Sequence, residues 1–138
     1  MQLVHRDHPA LRQVSENVLN FDEDLARTVR EMRPLMGRGL AAPQVGINKR
    51  IILVKLSTFG SPMAMINPVI MKASGSQTGS EACLSLPGLS RSVTRHYEIT
   101  VEYHTLQGEN KTLTCTGMAA RVIQHEIDHL DGILIIDK

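Results

Sequence analysis

The segment Gln124-His125-Glu126-Ile127-Asp128-His129 constrains this chain more than any other. It lies in a stretch from Met118 to Leu130 in which Ala119, Val122, Ile123, Ile127 and Leu130 recur at helical spacing. Gly132 is well placed to close that helix. On a helix, positions four apart are rotated by about 40° and displaced by about 6 Å. The imidazoles of His125 and His129 therefore leave one face and can bind a single metal ion. Glu126 stands beside them, within reach of a water but not as a ligand. The bland alternative is two solvated histidines on an amphipathic helix. If the metal reading holds, the fold must bring a third protein ligand to this helix and leave one position open.

The residues alone leave that third ligand open. Cys83, Cys115, the other histidines and the carboxylates are all candidates. Cys115 alternates with Leu113 on an expected strand and reads as a small core residue. Cys83 sits in Ser80-Glu81-Ala82-Cys83-Leu84-Ser85, where a thiolate at a strand edge can reach a helix. Its reading as ligand or as buried thiol stays undecided on spacing. His5, His8, His96 and His104 are isolated and read as solvated. Two cysteines do not make a disulfide framework.

The rest of the chain supplies a single scaffold. A length of 138 residues fits one domain, expected over 1–138, and is long enough to bury a core. Phe21, Leu25, Val29, Met32 and Met36 predict a helix with Asp22 as its cap and Pro34 ending it near Arg33. His8-Pro9-Ala10-Leu11-Arg12 reads as an extended arm. Ile51-Ile52-Leu53-Val54 reads as a buried strand, Ala64 to Ile70 as a second broken by Pro68, and residues 73–80 as a loop. Ile99, Val101 and Tyr103 alternate with polar neighbours, turn at Gln107-Gly108-Glu109-Asn110 and return through Leu113 and Cys115, a hairpin. Helix, strands, then a late helix suggest an α+β domain.

Composition excludes several function classes. Fifteen Lys+Arg against 14 Asp+Glu give a net charge of +1, and aromatics are only 3%. A nucleic-acid surface needs clustered excess Lys/Arg, and base stacking needs aromatic rings. No apolar run approaches the length of about 20 residues that spans a bilayer. The polar start, Met1-Gln2-Leu3-Val4-His5-Arg6, carries no secretion signal.

Three segments together resemble the motifs of the peptide deformylases, in that family's order: Gly37-x-Gly39-Leu40-Ala41-Ala42-Pro43-Gln44-Val45-Gly46, Glu81-Ala82-Cys83-Leu84-Ser85, and Gln124-His125-Glu126-x-Asp128-His129-Leu130-x-Gly132. His8-Pro9-x-Leu11-Arg12 and Ile66-Asn67-Pro68 also look like family features. The resemblance implies antiparallel sheets around a central motif-bearing helix. Because the chain ends a few residues after Gly132, it also implies a member without the usual C-terminal helix. It implies Cys83, His125 and His129 as metal ligands, with Fe²⁺ as cofactor and Zn²⁺, Ni²⁺ or Co²⁺ as substitutes. The reaction implied is removal of the formyl group from N-formylmethionine on nascent polypeptides, releasing formate. Glu126 would be base and then acid. The Gln44 amide and the Leu84 backbone N–H would stabilise the oxyanion. The peptide would add as a strand near Gly39 and Gly88, with Gly37 also close to it. The Met side chain would enter an apolar pocket that includes Leu40 and Ile123. A monomer in the cytoplasm is expected, whether bacterial, in a phage host or as a mature organellar form, with ribosome association as a further partner.

Two positions depart from the family pattern. Ala82 replaces the usual Gly, and Ser90 stands where members often carry a substrate-contacting Arg, with Arg91 beside it. Arg95 matches a family Arg and is a candidate partner for Glu81. Two other functions compete: an H-E-x-x-H endopeptidase, which gives Cys83 no role, and a binding module without turnover.

Overall fold

The computed structural model describes residues 1–138. Helix α1, Glu23–Met32, starts as the sequence predicts: the Asp22 side chain accepts the Leu25 N–H at 3.1 Å. Pro34 follows in a short 3-10 turn, Arg33–Leu35. The strands are β1 Gly39–Ala41, β2 Ile51–Val54, β3 Met63–Ser74, β4 Gln77–Ala82, β5 Ser90–Arg95, β6 Glu98–His104 and β7 Asn110–Thr116. Helix α2 is Gly117–Leu130. Five strands form an antiparallel sheet in the order β1-β2-β3-β6-β7, and β4 pairs with β5 as a separate antiparallel ribbon.

Strand β2 is buried on both faces, as its run of four apolar residues implies. Ile51 and Leu53 pack with Leu25, Val29 and Met32 of α1. Ile52 and Val54 pack with Ala120, Ile123, Ile127 and Leu130 of α2. The sheet is thus held between the two helices, and the period-2 alternation of each strand decides which helix a residue meets. A third cluster, Leu11, Cys83, Leu86, Val93, Leu134 and Ile135, joins the N-terminal turn, the β4–β5 ribbon and the last residues.

Four expectations are corrected. Residues 73–80 are not a loop: β3 runs to Ser74 and β4 begins at Gln77. Their small polar side chains carry no strand signal because pairing with β5, including the Thr78–Thr94 hydroxyl contact at 2.8 Å, supplies the order. Pro68 does not break β3. A register shift between Ile66 and Val69 absorbs it, and Asn67 takes φ 51° there. The Asn67 side chain bonds both the N–H and the C=O of Val18, at 2.8 and 3.0 Å. Pro9–Arg12 is a 3-10 turn rather than an extended arm, with His8 Nδ1 accepting the Ala10 N–H. Cys115 is only partly buried against the α2-side core.

No helix is long and apolar enough to cross a membrane. Gly132 takes φ +74° just beyond α2. A Cβ there would lie 2.9 Å from the Arg12 backbone. That close approach joins the end of α2 to the N-terminal turn, where Arg12 pairs with Asp137.

Candidate metal centre and cleft

Three elements meet at one point. Helix α2 supplies His125 and His129 one turn apart, and the turn after β4 supplies Cys83. Their ligand atoms lie within 4.8 Å of one another, and all three residues are buried. Cys83 Sγ is 3.3 Å from His129 Nε2. His125 Nδ1 is 2.8 Å from Glu81 Oε1, which orients the ring with its other nitrogen toward the cluster. One thiolate and two imidazoles, buried and convergent, are a donor set for a transition-metal or zinc ion, and these residues fit one. His129 Nδ1 is buried without a partner.

The surrounding charges favour a cation. Burial alone would lower the pKa of His125. The hydrogen bonds to Cys83 and Glu81 and the charge of Glu126 outweigh it and raise the value to about 10. Burial pushes His129 down to about 3, with His125 and Arg95 adding in the same direction. Burial lifts Glu126 to about 7 against the lowering effect of His125 and Arg95. Its Oε1 is buried with no partner in the chain.

Glu81 anchors the arrangement. It is 7% exposed and accepts from Arg95 through Nε and an Nη at 2.6 and 2.8 Å. It also accepts from an Arg121 Nη. Burial would raise its pKa, yet His125, Arg95 and Arg121 hold it well below the usual carboxylate range. Arg95 reaches on to Asp128 at 2.8 Å. The expected Glu81–Arg95 pair is present, and the sequence reading lacked Arg121. That arginine sits four residues before His125, on the same helical face, in an otherwise apolar stretch. A charge there is the signal that could have found it.

Gln44 lies in the 3-10 turn Ala42–Val45, 2% exposed. Its Oε1 accepts the Ala41 N–H at 2.9 Å, which turns Nε2 toward Cys83 Sγ at 3.4 Å and Ser85 Oγ at 3.5 Å. The Leu84 backbone N–H follows Cys83 and donates to no backbone acceptor. A cleft of about 390 Å³ opens beside the cluster. That volume lies within the range of small-ligand sites, roughly 300–1,000 Å³. Gly37, Gly39, Cys83, Leu84, His125 and Glu126 all line it.

Three residues expected to contact substrate fall elsewhere, and Gln44 and His129 are not in the cleft lining either. Leu40 and Ile123 are fully buried and do not line the cleft. Leu40 alternates with Gly39 and Ala41 and points to the α1 side, and Ile123 faces the sheet. Met118, Val122, Ala82 and Leu84 form the apolar wall instead. Gly88 stands outside the cleft wall, in a turn with φ +78°. Ala82 is not at positive φ, so its methyl group causes no backbone strain. Arg91 is exposed, and its side chain hydrogen-bonds the neighbouring Ser90 carbonyl at 3.4 Å.

The family model described as polypeptide deformylase matches residues 1–138. A peptide deformylase from Thermomicrobium roseum is 39% identical over 147 residues, covering 99% of this chain and 84% of that protein. One from a Picosynechococcus species is 40% identical over 147 residues, covering 100% and 78%. The crystal structure of peptide deformylase from Thermotoga maritima superposes with a TM-score of 0.93 at 38% identity, covering 99% of this chain and 95% of that one. That of Synechococcus elongatus in complex with actinonin gives 0.93 at 39%, covering 99% and 76%.

Proposed function

The chain belongs to the polypeptide deformylase family of hydrolases, and from that premise we propose that it removes the formyl group from N-formylmethionine at the start of new polypeptides. The observation that carries this reading is the convergence of Cys83, His125 and His129 at one point, beside a cleft that Cys83, His125 and the buried Glu126 line. An endopeptidase reading leaves the Cys83 thiolate and the inward-turned Gln44 amide without a purpose.

Cys83, His125 and His129 would hold a divalent ion, Fe²⁺ in this reading, with Zn²⁺, Ni²⁺ or Co²⁺ able to substitute. When bound, such an ion supplies Lewis acidity, making water a stronger acid and polarising a carbonyl. Glu126 takes a proton from the water that attacks the formyl carbon. Its pKa of about 7 suits a group that must accept a proton and then give it up. The oxyanion that develops receives N–H donation from Gln44 Nε2 and from Leu84 N. Glu126 then delivers the proton to the leaving amine, so formate and a free amino terminus are the products. The outer edge of β1 is unpaired in the sheet and borders the cleft at Gly39, which suits a peptide added as a strand. Leu84, Met118 and Val122 offer apolar contact to the first side chain. Ribosome association and a cytoplasmic monomer complete the proposal.

Fe²⁺-loaded protein, kept anaerobic, is incubated with formyl-Met-Ala-Ser and with an unformylated peptide. Formate from the first and no cleavage of the second supports the reading. Internal cleavage of the unformylated peptide favours an endopeptidase, and neither product favours a binding module.

A further inference from the structure

Two glycines line the cleft, Gly37 just before β1 and Gly39 at its first position, and they differ in what surrounds them. At Gly37 an added Cβ would meet nothing within 4 Å. At Gly39 it would lie 2.5 Å from Glu126 Oε2, 2.9 Å from Cγ and 3.0 Å from Cδ. Gly39 does not adopt positive φ, so its backbone accepts any residue. The three heavy atoms nearest to such a Cβ all belong to Glu126. The alternation of β1 explains the contact, since Gly39 and Ala41 face α2 while Leu40 faces α1. Packing also has more to do here than in an ordinary ion pair, because Glu126 Oε1 is buried with no hydrogen-bond partner.

We propose that Gly39 is a positioning residue for Glu126: its bare Cα forms the wall that sets where the carboxylate stands. The proposal rests on Glu126 acting as the base of the deformylation reaction. It gives Gly39 a task separate from contact with the substrate backbone. Any side chain at position 39 displaces the Glu126 carboxylate from beside the cluster, and the reaction loses its base while the cleft stays open to substrate.

The test is a pair of double-mutant cycles, and the first uses activity. Gly39→Ala lowers kcat by about 100-fold or more, in the range of a lost general base, with KM changed less than about 3-fold. In a Glu126→Ala background the Cγ and carboxylate atoms that the new Cβ would meet are gone, and Gly39→Ala then lowers the residual formate release by less than about 3-fold. A raised KM, or the same loss repeated in the Glu126→Ala background, assigns Gly39 to substrate contact and overturns the proposal. The second cycle needs no turnover. In metal-free protein Gly39→Ala lowers Tm by roughly 5–10 °C, as overpacking does. In a Glu126→Ala background the same change lowers it by less than about 2 °C. Equal shifts in both backgrounds overturn the proposal. If the unaltered protein releases no formate, the deformylase reading fails, while the Tm cycle still decides whether Gly39 packs on Glu126.

Discussion

Glu81→Gln keeps the side-chain shape and removes one buried charge. Glu81 and Asp128 balance Arg95 and Arg121, and the side chains of Glu81, Arg95 and Arg121 are 6%, 4% and 7% exposed. Without the Glu81 charge, Arg95 keeps Asp128 but Arg121 keeps only the Val93 and Gln77 carbonyls, and one positive charge is left uncompensated in the interior. Breaking a buried pair in this way costs about 3–5 kcal/mol. At an unfolding entropy of about 2.1 cal/mol/K per residue, a chain of 138 residues loses roughly 10–17 °C in Tm. The His125 ring also loses its carboxylate partner, so metal affinity falls about 10–100-fold. Differential scanning calorimetry and competition with a chromogenic chelator read the two effects. A Tm within about 3 °C of the unaltered protein refutes the reasoning, because it means the arginines are solvated or paired elsewhere.

Three further outcomes follow from the same contacts. The Tm gap between the unaltered protein and Glu81→Gln shrinks as pH falls from 6 to 3. Glu81 has a depressed folded pKa, so its contribution is complete above the ordinary value of 4.5 and is lost as pH drops below it, which scans at several pH values would show. Ile123→Val costs about 0.5–1.5 kcal/mol in urea unfolding, because Ile123 fills the core between sheet and helix and not the cleft. Asn67→Ala costs about 2–3 kcal/mol by the same assay. It deletes both bonds to Val18 and puts an alanine at φ 51°.

The helices, the β6–β7 hairpin and β2 were legible because their side chains carry a period or an unbroken apolar run. The candidate metal ligands on α2 were legible for the same reason: a spacing of four is already a geometry once the segment is helical. Cys83 became a ligand candidate of weight only through the family resemblance, since nothing local brings a turn after β4 to a helix some forty residues later. The β4–β5 ribbon was hidden because Ser80, Gly79 and Thr78 are ordered by backbone pairing with a distant partner. Leu40 and Ile123 were identifiable as apolar, but their direction depends on the register of β1 and on which face of α2 meets the sheet. Arg121 escaped notice because its acceptors, Glu81, Val93 and Gln77, come from two other strands.

The central claim is that Glu126 moves the proton and is not a metal ligand. Formate release from formyl-Met-Ala-Ser by Glu126→Gln, with metal content measured on the same sample, tests it most directly. The account predicts one metal ion per chain, as in the unaltered protein, with turnover reduced by at least about 100-fold. Unaltered turnover with the metal in place would contradict it.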